Sequence, residues 1–359
     1  MTAALSPARW QTIEPLIDAA LALGAEQRAG FVARSCVADG ELRNELISML
    51  AACERLWPTG GWLSQPAAER FASLWVEPNE HERFVAALAG RYILEGEAGR
   101  GGMAVVHRAR DVGRDDRHVA LKVLRTTVGD RGALRFRREI ALAAELHHPR
   151  IVSVLDSGES AGRLWYAMPF IDGETLGARL RRVQRLDIPD VLRLMREIAD
   201  ALGYAHARGV IHRDLKPDNI LVSDDGAIIA DFGVAKALLV ASTREGDSID
   251  EGETTEGIRL GTPLYMAPEQ ITGRSTDHRI DLYALGVVAY QLVTGVTPFH
   301  GSRQDIATGH LSRRPPSIGG RRAGVPRRLD RLIMRLLEKK PADRPASAAN
   351  VSAELAGIA

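Results

Sequence analysis

The spacing of hydrophobic residues predicts three short helices near the start of the chain. Ser6 and Pro7 are typical of a helix start, and apolar residues then recur at helical spacing. A second short helix is predicted around Phe31, and a third begins after Asp39, which is a residue type that often precedes a helix. Residues 1–56 are therefore predicted to form a small all-α unit.

The pattern changes twice after this unit. Residues 57–90 begin with a run rich in proline and glycine, which is typical of a linker, and end in a short amphipathic stretch. From Arg91 onward, short strand-like runs alternate with glycine-bearing turns, and longer helical patterns follow from about Pro189. The sequence thus predicts a second region from Arg91 onward, with strands first and helices after them.

Composition excludes several classes of protein. The 359 residues include 47 basic and 46 acidic side chains, and a net charge of +1 gives no general attraction to nucleic acid or to anionic membranes. Two cysteines are too few for a disulfide framework and fit a reducing compartment. The sequence shows neither a signal peptide nor the run of about 20 apolar residues that a membrane span needs. We expect a cytoplasmic protein with no nucleic-acid partner and no membrane span.

A glycine-rich turn is the first segment with candidate chemistry. It has the sequence Gly-Arg-Gly-Gly-Met-Ala-Val-Val over residues 99–106, and its glycines allow backbone N–H groups to approach a phosphate. Alone this signal is weak, because dinucleotide-binding turns are similar. However, the strand-like Val-His-Arg-Ala-Arg follows it, where the dinucleotide fingerprint needs a helix, and the chain has no P-loop motif.

Two charged residues follow the glycine turn at suggestive positions. Val-Ala-Leu-Lys ends at Lys122, and a strand there would place the ammonium group beneath the glycine turn. Glu139 lies in a helical stretch, from which its carboxylate can pair with Lys122. By themselves, lysine and glutamate at such positions are most often surface charges.

The decisive motif is His-Arg-Asp-Leu-Lys-Pro-Asp-Asn at residues 212–219, followed by Asp-Phe-Gly at residues 231–233. The glycine turn, the lysine strand, the helix glutamate, these two motifs and Ala-Pro-Glu at residues 267–269 occur in the order and spacing of protein kinases. Over about residues 91–357, the chain resembles the catalytic domain of bacterial serine/threonine protein kinases.

The resemblance implies catalytic roles for four residues. Lys122 would contact the α- and β-phosphates of ATP, oriented by Glu139. Asp214 would accept or orient the proton of the substrate hydroxyl, and Lys216 would steady the γ-phosphate. Lysine at positions 122 and 216 stands out, because only five of the 47 basic residues in the chain are lysines.

The resemblance also implies ATP and Mg²⁺, or Mn²⁺, as cofactors. Asn219 and Asp231 would hold the metal, since amide and carboxylate oxygens suit a hard cation. The residues expected to contact the nucleotide are Gly99, Arg100, Gly101, Gly102, Val106, Ala120, Lys122, Met168, Phe170 and Ile171.

The implied fold is the two-lobed α+β kinase fold, with a small antiparallel sheet and one helix in the N-lobe and a mainly helical C-lobe. The implied function is transfer of the γ-phosphate of ATP to serine or threonine hydroxyls of protein substrates. The alternative is a catalytically silent ATP-binding scaffold that acts by docking. Two departures from the family pattern, Ala104 for the third glycine and Pro169 in the hinge, remove no catalytic group and so favour the enzyme.

Activation by autophosphorylation is a further implication of the resemblance. Arg213 would belong to a basic pocket that a phosphate on the activation segment neutralises. The expected acceptors are Thr254 and Thr255, with Ser242 and Thr243 as alternatives, and a homodimer would allow the reaction in trans. In the opposing interpretation, acidic residues of the segment already neutralise Arg213 and the kinase is constitutively active.

The small N-terminal unit, residues 1–56, has no motif that indicates chemistry. It is expected to act as a docking or dimerising module, and the alternative is an added structural layer of the kinase domain.

Overall fold

The computed structural model describes residues 7–21, 23–36, 39–56, 80–101, 104–125, 130–223, 226–232 and 263–358. The chain divides into two compact units, one ending at Arg83 and one beginning at Phe84. Each unit has a hydrophobic core of its own.

The described residues of the first unit up to residue 56 form three helices, as the sequence predicts. They are α1 (Pro7–Leu21), α2 (Ala25–Ser35) and α3 (Gly40–Leu56). The carboxylate of Asp39 accepts a hydrogen bond from the backbone N–H of Leu42 at 2.8 Å, which satisfies one free donor at the start of α3. Ile13 and Ile17 of α1 pack against Leu46 of α3 in a buried core, which explains the apolar spacing of both helices.

The second unit begins within helix α4 and continues into a five-stranded antiparallel sheet in the order β1-β2-β3-β5-β4. The elements are α4 (Glu80–Leu88), β1 (Tyr92–Arg100), β2 (Ala104–Asp111), β3 (Arg117–Leu124), α5 (Asp130–Ala144), β4 (Asp156–Ser160) and β5 (Arg163–Pro169). This is the antiparallel N-lobe sheet that the sequence predicts.

A helix covers each face of this sheet. Phe136 of α5 packs with Tyr166 on the face that carries Lys122. Phe84 and Leu88 of α4 pack with the ring of Trp165 on the other face. Successive residues of a strand point to opposite faces, so Trp165 and Tyr166 serve the two layers in turn.

The position of α4 shows what its amphipathic pattern packs against. The sequence predicts a linker with an amphipathic stretch over residues 57–90 and a kinase domain that starts at residue 91. In the structure, Phe84 and Leu88 are buried in the sheet core and belong to the second unit. Helix α4 is therefore amphipathic, as the sequence predicts, and its apolar side faces the sheet.

The rest of the second unit is mainly helical. Its described elements are β6 (Glu174–Thr175), α6 (Leu176–Val183), α7 (Ile188–His206), a 3-10 turn (Pro217–Asn219), β7 (Ile220–Ser223), β8 (Gly226–Ile229), α8 (Pro268–Ile271), α9 (Arg279–Thr294), α10 (Arg303–Ser312), α11 (Arg327–Leu336), another 3-10 turn (Pro341–Asp343) and α12 (Ala348–Ala356). Strands β6, β7 and β8 form a small antiparallel sheet.

Helix α9 is the centre of this helical lobe. Thirteen of its residues are buried, in keeping with a sequence that is apolar on every side. At 16 residues it is too short to span a bilayer, and none of the described helices combines the length and apolarity needed to do so.

Candidate active site

A buried carboxylate on α9 anchors the loop that carries the decisive motif. Asp281 Oδ2 accepts a hydrogen bond from the backbone N–H of His212, and Oδ1 accepts one from the backbone N–H of Arg213, both at 2.8 Å. Burial alone would raise the pKa of Asp281, but the hydrogen bond and charge of His206 help to hold that pKa below its ordinary value. The loop is thus fixed to the core.

The same loop is tied to the segment that leads to Asp231. The side chain of His212 is fully buried. Its Nε2 forms a hydrogen bond with the carbonyl oxygen of Ala230 at 2.9 Å, and its ring packs edge-on against the ring of Phe232. Arg213 has φ of 69°, a left-handed conformation that side chains other than glycine rarely adopt. Strained backbone of this kind is concentrated at functional sites.

Three of the predicted catalytic and metal residues meet at Asp214. Lys216 Nζ lies 2.6 Å from Asp214 Oδ2. The 3-10 turn at Pro217–Asn219 brings Asn219 back toward the loop, where its Nδ2 donates to the backbone oxygen of Asp214 at 2.8 Å. The Asp214 side chain is 45% exposed, so an incoming hydroxyl group can reach it.

Asp231 binds two donors from the N-lobe sheet. Lys122 Nζ lies 2.6 Å from Asp231 Oδ2, and the hydroxyl of Tyr166 donates to Oδ1 at 2.5 Å. Burial on its own would raise the pKa of Asp231, yet the charge of Lys122 and the hydrogen bonds of Lys122 and Tyr166 together hold that pKa below its ordinary value. Asp231 also has a left-handed backbone, with φ of 65°.

The donor atoms of Asn219 and Asp231 fit a divalent metal. Because Asn219 uses its amide nitrogen as a donor to Asp214, the amide oxygen is the atom that can serve as a ligand. The backbone N–H of Ala230, the residue before Asp231, donates to the backbone oxygen of Asn219 at 2.9 Å. The two candidate ligands are therefore held on neighbouring segments, and both offer the hard oxygen atoms that Mg²⁺ and Mn²⁺ prefer.

Four predicted nucleotide contacts share one face of the sheet. Val106 pairs with Lys122 across β2 and β3, and Ala120 pairs with Met168 across β3 and β5. Directly opposed residues of antiparallel strands point to the same face. The two ends of the glycine turn are joined by a hydrogen bond from the backbone N–H of Gly101 to the backbone oxygen of Ala104 at 2.9 Å.

The remaining nucleotide contacts lie in the turn and the hinge. Gly99 and Arg100 are the last residues of β1, where Arg100 forms an exposed ion pair with Glu97. In the hinge, the backbone N–H of Phe170 donates to the backbone oxygen of His118 at 3.4 Å, while the Phe170 ring packs under the Arg108 guanidinium. Ile171 follows, half-buried. Gly102, Thr254 and Thr255 lie outside the described residues.

The structure does not bring Glu139 and Lys122 together in an ion pair. Lys122 pairs with Asp231 instead. Glu139 lines a cavity of about 310 Å³, beside Arg138 and Arg213. The cavity lies between α5 and the start of the loop that carries residues 212–219, named the catalytic loop below. The expected pairing is therefore absent between these two residues, both of which the structure describes.

Tyr166 contacts Asp231 but belongs to none of the sequence motifs. A signal was available, because Tyr166 precedes Met168 by two positions on the same strand and therefore shares its face. What the sequence does not show is that the hydroxyl group reaches Asp231.

Comparison with known protein families matches residues 92–354 to the protein kinase domain. The chain belongs to the protein kinase family. This kinase is 43% identical over 292 residues to the serine/threonine-protein kinase Pkn3 of Myxococcus xanthus, a match that covers 78% of this chain and 52% of Pkn3. It is 38% identical over 280 residues to the serine/threonine-protein kinase PknL of Mycobacterium tuberculosis, covering 76% of this chain and 67% of PknL.

A solved structure agrees with these matches. The kinase domain of Mycobacterium tuberculosis PknI superposes with a TM-score of 0.59 at 31% identity, covering 74% of this kinase and 94% of the PknI chain. The two-lobed kinase fold and the resemblance to bacterial serine/threonine kinases are thus confirmed. The chain spans about half the length of Pkn3 and about two thirds of PknL.

Proposed function

We propose that this protein is an ATP-dependent serine/threonine protein kinase that uses Mg²⁺ or Mn²⁺. The observation that carries the proposal is the convergence of two groups of residues that are distant in sequence. Asp214, Lys216 and Asn219 meet on one loop, and Lys122 reaches Asp231 from the sheet. The names of the relatives support the same class of reaction.

Each group of residues has a defined task in phosphoryl transfer. Asp214, held by Lys216 and Asn219, receives the proton of the substrate hydroxyl. As it does so, the hydroxyl oxygen bonds to the γ-phosphorus, and the bond between that phosphorus and the oxygen that leaves with ADP breaks. Lys122 has a flexible stem that lets its ammonium group turn from Asp231 toward the phosphates. The metal, when bound at Asn219 and Asp231, offsets negative charge on the phosphates. Glu139 is proposed to orient Lys122 in the active arrangement.

Serine and threonine hydroxyls in proteins are the proposed acceptors. Lys216, two positions after Asp214, is typical of the serine/threonine branch of the family, and it contacts Asp214 directly. The partners of this kinase are therefore protein substrates. The net charge of +1 offers no support for a nucleic-acid partner.

The direct test is transfer of labelled phosphate from ATP to a generic basic protein. Asp214→Asn should lower the rate by about 10²-fold or more, because the variant lacks the proton acceptor. Asp200→Asn, at an exposed position of α7, is the matched control and should transfer at the wild-type rate. A wild-type protein that binds ATP but transfers no phosphate would instead support the scaffold function.

We further propose that the kinase phosphorylates its own activation segment at Thr254 or Thr255. The support is electrostatic: Arg138 and Arg213 line the same cavity, and a phosphate brings about −1.5 to −2 charges that guanidinium groups bind well. Mass spectrometry should find this phosphate in the wild-type protein and not in Asp214→Asn. Full activity in a Thr254→Ala/Thr255→Ala variant would contradict the activating role.

Autophosphorylation in trans would require two copies of the chain to meet. Mixing wild-type enzyme with a tagged Asp214→Asn copy tests this, since phosphate on the inactive copy can come only from its neighbour.

Residues 1–56 are the proposed docking or dimerising module. Sedimentation of the wild-type full chain and of its Ile47→Asp variant tests this role, because Ile47 is an exposed apolar residue of α3. A cytoplasmic site of action is proposed because it suits the free, buried thiol of Cys36.

A further inference from the structure

Tyr166 is a buried tyrosine whose hydroxyl group contacts a candidate metal ligand. It lies on β5 directly opposite Lys122 on β3, so the two side chains leave the same face of the sheet. The Tyr166 hydroxyl donates to Asp231 Oδ1 at 2.5 Å, and Lys122 Nζ donates to Oδ2 at 2.6 Å. Each oxygen of the Asp231 carboxylate thus has its own donor.

The two donors differ in their freedom to move. Tyr166 is 1% exposed and packs against Phe136 and Ile140 of α5, so its ring cannot leave without opening the core of the lobe. The Lys122 side chain is 17% exposed and carries its charge on a flexible four-carbon stem. Oδ2 is therefore the oxygen that can exchange its partner, whereas Oδ1 keeps the same donor.

We propose that Tyr166 is a positioning residue for the metal site. Its hydroxyl group fixes the plane of the Asp231 carboxylate, so that Oδ2 is presented to the metal when Lys122 turns to the phosphates. The inference rests on the proposed kinase function and adds to it a residue outside the family motifs. Hydrogen bonds that orient a metal ligand typically account for about 10- to 100-fold in metal affinity or activity.

A structural role alone would require only the aromatic ring of Tyr166. The ring fills the core beside Phe136, and phenylalanine at position 166 would fill the same space. The hydroxyl group adds nothing to that packing, but it supplies Asp231 with a donor. Tyr166→Phe therefore separates positioning from packing.

The experiment measures metal binding without catalysis. The affinity of the full chain for a fluorescent ATP analogue is determined over a series of Mg²⁺ concentrations, for wild type and for Tyr166→Phe. In the variant, the Mg²⁺ concentration that gives the half-maximal effect should rise about tenfold, with little change in affinity when Mg²⁺ is chelated. Thermal unfolding of each protein confirms that it is folded.

Tyr92→Phe is the matched control. Tyr92 is also a buried tyrosine of the same sheet, and its hydroxyl group donates to a carboxylate, Asp156, at 2.7 Å. Asp156 is not one of the candidate metal ligands, so this variant should respond to Mg²⁺ as the wild type does. In an Asp231→Asn background, Tyr166→Phe should have no further effect, because the group it positions has been removed.

Three outcomes would overturn the assignment. An unchanged or stronger Mg²⁺ response in Tyr166→Phe means that the hydroxyl group does not position the ligand. A further loss in the Asp231→Asn background means that it acts on another group. Absence of any Mg²⁺ response in both wild type and Tyr92→Phe would contradict the proposed kinase function itself, and this result is distinguishable because neither protein is altered at Tyr166.

Discussion

The backbone N–H of Arg213 donates to the side chain of Asp281 at 2.8 Å, which ties the residue before Asp214 to the buried helix α9. The same carboxylate accepts hydrogen bonds from the backbone of His212 and from the ring of His206. Because α9 is surrounded by the core of the helical lobe, its position fixes that of the catalytic loop. We therefore expect stability and activity to be coupled at Asp281.

Asp281→Asn should weaken both properties. The amide presents an NH₂ group where one carboxylate oxygen accepts a hydrogen bond, so a buried donor loses its partner. We expect the free energy of unfolding to fall by about 1 to 3 kcal/mol, with a loss of phosphate transfer. Urea denaturation of the variant against Asp200→Asn checks this, since the exposed control should change stability by less than about 0.5 kcal/mol. Equal stability of the two variants would contradict the anchoring role.

The Lys122–Asp231 pair predicts a non-additive pattern of stability. Lys122→Met leaves a largely buried carboxylate without its cation and should lower the free energy of unfolding by about 1.5 to 3 kcal/mol. Adding Asp231→Asn removes the unpaired charge, so the double variant should recover part of the lost free energy of unfolding. The Lys122→Met variant and the double variant should both lose phosphate transfer. Denaturant unfolding of the two single variants, the double variant and the wild type measures the coupling. Additive losses would show that the pair contributes little.

Motif order and strand alternation predict which residues enter the site. Alternation in Val-Ala-Leu-Lys is enough to place Lys122 and Ala120 on one face of β3, and the observed register agrees. The partner of Lys122 is a different problem. Asp231 is 109 positions away along the chain, and no local pattern determines which carboxylate the ammonium group meets.

Tertiary packing determines two features of the structure that the sequence does not show. The location of Glu139 depends on how α5 lies on the sheet, and this is set by contacts of Phe136 and Ile140 with residues of distant strands. The amphipathic pattern of α4 likewise shows that one side is apolar but not what covers it. Both features arise from contacts between elements, whereas the elements themselves are visible in the sequence.

The packing of α4 predicts that Phe84 stabilises the kinase domain. Phe84 is 1% exposed against the sheet, so Phe84→Ala removes a large buried ring and should lower the free energy of unfolding by about 3 to 5 kcal/mol. Leu134→Ala on α5, where the side chain is 63% exposed, is the control and should have a small effect. Denaturant unfolding of the full chain compares them. A small effect at Phe84 would mean that α4 is dispensable for the sheet.

The buried imidazole of His310 predicts a loss of stability in acid. Its Nδ1 lies 2.8 Å from the Tyr283 hydroxyl, and its Nε2 lies 3.1 Å from the backbone oxygen of Leu264, just after the part of the chain that carries the activation segment. Burial, followed by the charge of nearby Lys339, lowers the pKa of His310 to about 4 from its ordinary value of 6.5. The folded protein therefore keeps this ring neutral at pH values where the unfolded chain protonates it.

The sign of the pH effect follows from this difference. Between pH 6.5 and pH 4 the unfolded state binds more protons at His310, so the stability contributed by this group is complete above that window and falls as the pH drops through it. The loss reaches about 3 kcal/mol at pH 4. His310→Gln keeps a neutral donor but cannot titrate, so its deficit relative to wild type at pH 7 should shrink as the pH falls. His118→Gln, at an exposed position of β3, is the control substitution. Parallel profiles for wild type and His310→Gln in urea denaturation from pH 7 to pH 4 would show that this imidazole is not the group that titrates.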